Sequence, residues 1–252
     1  MTDKISVIMP ALNASRFIAP ALHSLLREPA VDLDIIVVDD GSTDDTAAIV
    51  RQLAASHSRI RLINNTGKGV SRARNAGVAA ALPDSAYIAF LDADDHCYPG
   101  RVVRQLDRIR SAPGTGMIVG RIQFFESIDE ETSQISPGSR TVTVTGVALG
   151  STLFHRSLFD RHGGFDESMQ HGEDVDFFLR ILEAQTRYIA ENEVAVLYRR
   201  HDANMTNDLS ATRRGFVDAI RRSLARRRAT GNAVDIGDLF KYKTSVEEAF
   251  HK

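Results

Sequence analysis

Three carboxylates close the segment Phe90-Leu91-Asp92-Ala93-Asp94-Asp95, where an apolar run of strand character ends in an Asp-x-Asp cluster. Like charges a few ångströms apart repel, and each carries a desolvation cost, so such a group calls for a cation. Carboxylate oxygens suit the hard ions Mg²⁺ and Mn²⁺, which keep positions open for substrate phosphate oxygens. The chemistry implied is a divalent metal with a diphosphate behind it. An acidic turn or a helix N-cap uses the same residue types, so the surrounding elements must decide.

Ile5-Ser6-Val7-Ile8-Met9-Pro10 and Leu33-Asp34-Ile35-Ile36-Val37-Val38-Asp39-Asp40-Gly41-Ser42 read as buried parallel strands, because short, nearly continuous apolar runs bounded by turn residues fit strands covered on both faces. Between them Phe17, Ala21, Leu22, Leu25 and Leu26 recur at helical spacing within 14–26, which completes a βαβ unit. A second helix is predicted over 47–55, with Ser42 as N-cap and Asp45 in a capping-box position, so Asp44 and Asp45 serve a helix start. A strand at 60–63, a helix over 70–81 and a strand at 86–91 follow. Strands alternating with helices in this way form an α/β layer that binds ligands at the carboxyl ends of its strands. Asp39, Asp40, Asp92 and Asp94 all lie at such ends.

A dinucleotide-binding fingerprint is missing where it belongs. Ala11-Leu12-Asn13-Ala14 follows the first strand without glycines, Gly67-Lys68-Gly69-Val70-Ser71-Arg72 follows the third strand with Arg in the last glycine's place, and no P-loop occurs. In the second half, Val142 and Val144 alternate with threonines and lead to a strand at 150–154. Gly163-Gly164-Phe165-Asp166-Glu167 is a turn before His171-Gly172-Glu173-Asp174, and helical spacing resumes at Val175, Phe177, Phe178, Ile181 and Leu182. Glu173 and Asp174 therefore sit at a helix N-terminus, where negative charge is favoured. Residues 193–200 read as a late strand that ends at His201.

Taken in order, Ser6-Val7-Ile8-Met9-Pro10, Ile36 through Asp44, Ala73-Arg74-Asn75-Ala76-Gly77, Phe90 through Asp95, Gly163 through Glu167, and Gly172-Glu173-Asp174-Val175-Asp176 resemble the family 2 glycosyltransferases. The resemblance covers about residues 4 to 200. It implies an α/β chain with a GT-A-like, Rossmann-type mixed sheet flanked by helices, followed by a helical C-terminal extension. The domain would span 1–205, with a nucleotide-sugar half at about 1–100 and an acceptor half at about 101–205, and the basic extension would span 206–252. It further implies a metal-dependent inverting transfer from a nucleotide sugar, with Mn²⁺ or Mg²⁺ as cofactor. By the same resemblance Pro10 and Asp40 meet the nucleotide base, Asp92 the ribose, Asp94 the metal, and Asp174 acts as general base. His201 matches a second metal position, and Glu173 and His171 become acceptor-side candidates. Lys68 and Arg72 flank the nucleotide edge, where cations offset diphosphate charge; a solvated helix start is their other reading. Arg74 and Asn75 are expected to tie the helix to the strand ends. Leu12 stands where members often carry an aromatic or polar residue, so the base is left open, with a UDP-sugar favoured. A noncatalytic nucleotide-sugar or glycan-binding protein and a nucleotidyltransferase remain the alternatives.

The chain has 252 residues, enough for a sizeable core, and its 31 basic and 33 acidic side chains leave a net charge of −2 that offers no field for nucleic acid. A single cysteine, Cys97, rules out an internal disulfide framework and is expected to serve packing. With no leader or spanning segment legible, the expected location is cytoplasmic, with contact at the inner membrane face left open. Residues 126–140, rich in acidic, Ser, Gly and Pro residues, are expected to form a mobile excursion. The tail carries seven arginines between Arg213 and Arg228, with Phe216, Val217, Ile220 and Leu224 on one helical side. Such a basic amphipathic helix packs on the domain, lies on anionic lipid or binds an acidic partner. The acceptor class is open among glycan, lipid-linked saccharide, peptide and small molecule.

Overall fold

Alternate residues of the first two strands feed two different cores, as strands covered on both faces must. Ile5, Val7, Met9, Ile35 and Val37 pack with Ile18, Leu22, Leu25 and Val50 on one side of the sheet. Ile8, Ile36 and Val38 pack with Ala73 and the phenylalanines at 90, 154, 159, 165, 177 and 178 on the other. The computed structural model describes residues 3–231 apart from 30, 131, 133, 203, 205 and 206.

Strands β1 (Lys4–Ala11), β2 (Leu33–Asp39), β3 (Ile60–Asn64) and β4 (Ser85–Phe90) run parallel in the order β3-β2-β1-β4. Helices α1 (Ile18–Leu26), α2 (Thr46–Ser56) and α3 (Val70–Ala80) are the crossovers. Gly77 lets α3 lie close on the sheet, since a Cβ there would meet Ile8 Cγ2 at 2.4 Å. The expected four-strand layer is therefore present, with every carboxyl end on one side.

Beyond β4 the sheet becomes mixed, as anticipated. The remaining elements are β5 (His96–Cys97), α4 (Arg101–Arg110), β6 (Met117–Phe125), β7 (Ile128–Asp129), β8 (Gln134–Ile135), β9 (Thr141–Val144), β10 (Thr152–His155), α5 (Ser157–His162), α6 (Glu173–Glu183), β11 (Tyr188–Arg199) and α7 (Leu209–Thr230). Strand β10 is antiparallel to both β4 and β6, β11 is parallel to β6, and β5 is antiparallel to β11. Helix α7 packs through Ala219 on Leu179 of α6 and on Met169 of the turn before it. Cys97 is buried, and burial pushes its thiol up to about 12, as a packing role requires.

Several local expectations change. Ser42 does not cap α2: its hydroxyl accepts from Asn13 N–H, and Asp44 takes the helix start instead, accepting from Thr46 N–H at 3.0 Å and Ser15 N–H at 3.0 Å. Those donors hold the Asp44 carboxyl well below its usual range, the Thr46 hydroxyl contributing most. Helix α1 starts at Ile18 rather than 14, because Asn13 adopts φ +50° and Ala14 to Phe17 form a turn. Residues 126–140 contain regular structure. They carry the β7–β8 hairpin, and Glu130 within them pairs with Arg199 at 2.8 Å.

Candidate active site

Strand β2 delivers two aspartates with different tasks. Asp39 accepts Ser42 N–H at 3.1 Å, which closes the turn, while Asp40 accepts Asn65 Nδ2 at 2.6 Å and Gly69 N–H at 2.9 Å. Gly69 has φ +106° and opens α3, a conformation that L side chains rarely adopt. Asp40 thus ties the end of β2 to the loop before α3, with Pro10 beside it in register with Val38. Lys68 is exposed and has no partner among the described residues. Arg72 folds back over Gly67 and donates to Glu167 at 2.9 Å, so its charge is already shared with an exposed carboxylate.

The acidic cluster after β4 separates into three roles. Asp95 is buried and accepts Arg199 N–H at 3.0 Å; burial and the charges of Asp94 and Asp92 push its carboxyl well above the ordinary range. Asp92 is half-exposed and receives Arg74 Nη2 at 3.1 Å. Asp94 places Oδ2 at 2.9 Å from His201 Nε2 and 3.4 Å from Asn204 Nδ2. Burial and the Asp92 charge raise the Asp94 pKa, against the pull of His201. The imidazole of His201 is held by stacking on Phe17, centroids 4.7 Å apart, and Arg199 lies on the same Phe17 ring.

This donor pair fits a divalent ion. An imidazole nitrogen and a carboxylate oxygen are both ligand types for such an ion, and Asp94 Oδ2 and His201 Nε2, joined at 2.9 Å by a hydrogen bond, would exchange that bond for the metal. The raised Asp94 pKa marks surplus negative charge that a cation would relieve. Among the described residues no three His, Cys, Asp or Glu side chains converge on one point.

Helix α6 supplies the other side. Gly172, at φ +78°, precedes Glu173 and Asp174. Its lack of a side chain lets the chain approach Gly215 of α7, whose carbonyl oxygen a Cβ would meet at 2.6 Å. His171 is half-buried in that same contact. Glu173 is buried and takes Arg74 Nη1 at 2.5 Å. Burial, then the neighbouring Asp174 charge, raise its pKa to about 7, although Arg74 opposes them. Burial works against the Arg74 charge, but Asp92, Glu173 and Asp174 outweigh it and its pKa is raised. Asp174 itself is half-buried and accepts Val175 N–H at 2.8 Å through Oδ1.

A single buried guanidinium therefore joins the cluster after β4 to the start of α6. Asn75 ties the same helix to the turn at 163–167, accepting Phe165 N–H at 2.8 Å and donating to Phe165 C=O at 2.9 Å. Gly164 is required beneath it, since a Cβ would meet Asn75 Oδ1 at 2.2 Å. Arg74 does reach a strand end at Asp92, as expected from sequence, but its second hand on Glu173 was not anticipated. Asn204 and Phe17 were also missed. Phe17 reads as one more apolar position of α1, and Asn204 lies in a polar stretch without periodicity, so the spacing His201-x-x-Asn204 was the only signal. His96 lies in the interior, its Nε2 2.8 Å from Arg199 Nη2; burial lowers its pKa to about 4.

The model for glycosyl transferase family 2 matches residues 6–165, and one for a glycosyltransferase-like family 2 matches residues 140–232. The chain belongs to glycosyl transferase family 2. Its relatives include a chondroitin synthase from Escherichia coli, 32% identical over 186 residues that make up 71% of this chain and 26% of that protein. The succinoglycan biosynthesis protein ExoU of Rhizobium meliloti is 30% identical over 206 residues, 73% of this chain and 58% of ExoU. This family 2 chain thus spans about a quarter to three fifths of the length of these curated relatives.

Solved structures confirm the GT-A fold. TarS from S. aureus in complex with UDP-GlcNAc superimposes with a TM-score of 0.69 at 17% identity, over 87% of this chain and 65% of that one. The mannosyltransferase PcManGT from Pyrobaculum calidifontis, in complex with GDP-Man and Mn²⁺, gives 0.68 at 18% identity, over 89% and 65%.

Proposed function

We propose that this chain transfers a sugar from a nucleoside-diphosphate sugar to an acceptor nucleophile, with inversion at the anomeric carbon. Family membership supports the transferase class, and the Arg74 bridge supports the division of labour. That guanidinium holds Asp92 on the donor side and Glu173 on the acceptor side, next to Asp174. Residues up to about 100 would then serve the nucleotide sugar and 101–205 the acceptor.

On this reading Pro10 and Asp40 border the base, Asp92 the ribose, and Lys68 and Arg72 the diphosphate edge, Arg72 exchanging its Glu167 partner for phosphate. Asp94 and His201 would hold Mn²⁺ or Mg²⁺. Such an ion, when bound, supplies positive charge against the diphosphate that departs. Asp174 has one oxygen on Val175 N–H, and its other oxygen accepts the acceptor proton. As that proton moves, the acceptor oxygen bonds to the anomeric carbon, the bond from that carbon to the diphosphate oxygen breaks, and its electron pair leaves with the diphosphate. A single displacement of this kind inverts. Retention through a covalent sugar would need a free nucleophilic carboxylate, whereas Asp95 is buried on Arg199 N–H and Glu173 is held by Arg74.

A UDP-sugar is the favoured donor, in line with the UDP-GlcNAc bound by TarS; the GDP-Man of PcManGT shows that the fold takes other bases. The test is release of nucleoside diphosphate from a panel of nucleotide sugars with Mn²⁺, Mg²⁺ or chelator, alongside titration of donor binding. Asp94→Asn should lose metal-dependent donor binding. Asp174→Asn should keep it and lose about 10²- to 10⁴-fold in turnover with acceptor, the range for removal of a general base. Unchanged turnover in both variants would refute the assignment, and pyrophosphate as product would indicate nucleotidyl transfer instead.

A further inference from the structure

The described residues expose six large hydrophobic side chains, and four of them, Leu209, Phe216, Val217 and Leu224, belong to α7. They recur at steps of seven and eight residues, so they share one side of the helix. Arg214, Arg221 and Arg228 follow at steps of seven along an adjacent row, with Arg213 beside them, all exposed. None of these four arginines has a carboxylate partner among the described residues. The inner side of the same helix is different. Arg222 is paired with Asp166 at 2.6 Å, and Arg226 with Asp176 at 2.7 Å and Glu183 at 2.8 Å. Asp218, the sole acidic residue of α7, is bound to Arg222 at 2.9 Å, which leaves the outer surface cationic and apolar together.

From this surface we infer that α7 docks the protein on an anionic phospholipid bilayer. A helix with exposed Phe, Leu and Val beside a row of arginines matches the two requirements of interfacial binding, apolar burial at the acyl boundary and attraction to acidic headgroups. Packing on α6 does not compete, because it uses Ala219, the half-buried Ile220 and the paired arginines and leaves Phe216, Val217 and Leu224 exposed. No described helix is long and apolar enough to cross a membrane, so the contact is one of lying on the surface. The first turns of α7 touch His171 and Gly172 through Gly215. The docked surface is therefore one helix diameter, about 10 Å, from the start of α6. Docking itself does not depend on sugar transfer; only its consequence, an acceptor presented at the bilayer, rests on the proposed function.

Co-sedimentation of the full chain with vesicles tests this, using phosphatidylcholine alone or mixed equally with phosphatidylglycerol, at about 0.1 M and about 0.5 M salt. Binding is expected on the anionic vesicles only and to weaken at the higher salt. Replacing Arg213, Arg214, Arg221 and Arg228 by Gln should lower partition about five-fold per arginine, with an unchanged circular dichroism spectrum. The milder Arg214→Gln/Arg228→Gln pair, expected to lose about 25-fold, serves if the quadruple variant does not fold. Phe216→Ser with Leu224→Ser should weaken binding at both salt concentrations. Equal partition onto both vesicle types, or full binding by the arginine variants, would overturn the inference. So would a solution dimer broken by Phe216→Ser with no vesicle binding, which would assign the surface to a second copy. Donor binding measured on the same samples reports separately on the transferase reading.

Discussion

Glu173 is a buried carboxyl whose pKa rises from 4.5 to about 7, through burial first and the Asp174 charge second, with Arg74 only partly compensating. At 1.36 kcal/mol per tenfold, that difference corresponds to about 3 kcal/mol. The sign follows from proton binding. Between 4.5 and about 7 the native state holds the Glu173 proton and the unfolded chain has released it, so stability falls as pH rises through this window and levels off above it. Glu173→Gln keeps the shape and a hydrogen-bond acceptor for Arg74 but cannot ionise. The variant should match wild type near pH 4 and exceed it by about 3 kcal/mol near pH 8. Urea unfolding followed by far-UV circular dichroism at both pH values measures this, and with a slope of about 3 kcal/mol/M the midpoint moves by about 1 M. Asp94 and Asp95 also titrate abnormally, but their contributions cancel in the difference between variant and wild type. A stability difference that is the same at both pH values, or that favours wild type at pH 8, would show that Glu173 is not the group held out of its ordinary range.

His201→Ala removes one member of the Asp94–His201 pair and should weaken Mn²⁺ affinity at least about tenfold; electron paramagnetic resonance of free Mn²⁺ reads this without turnover. Gly77→Ala forces a Cβ to 2.4 Å from Ile8 and should cost about 1–3 kcal/mol, seen as a drop of about 2–10 °C in the thermal midpoint. Gly164→Ala strikes Asn75 Oδ1 and should loosen the turn at 163–167 from α3. Faster amide hydrogen exchange confined to that turn would report it, and unchanged exchange would contradict the assigned contact.

The N-terminal parallel layer was legible because its signals are local. Apolar runs over 5–10 and 33–39 with turn residues after them place carboxylates at strand ends, and no remote partner is needed to read them. The segment 101–125 was harder. Helix α4 buries Arg101 and Gln105 beside Val102, Leu106 and Ile109, and the two polar side chains are satisfied by each other, by Thr152 C=O and Ser151 C=O and by Glu191, partners that only the fold brings. Likewise Glu130, in a stretch whose composition suggests a loose loop, is recruited by Arg199.

By itself the sequence determined the strands and helices of the parallel layer at 4–90 and put Asp40, Asp92 and Asp94 at strand ends and Asp174 at a helix start, because composition and spacing encode burial period and turn chemistry; their roles came only from the family resemblance. It could not divide equal residues into unequal roles. Asp92, Asp94 and Asp95 are one acidic run, yet Arg74, His201 and the Arg199 backbone each take one of them. The arginines of α7 are one basic run, yet Asp166, Asp176 and Glu183 neutralise two of them and leave another row to solvent. Only tertiary structure decides this, since the charge state and availability of a side chain depend on partners brought from distant parts of the chain and on the water their contact excludes.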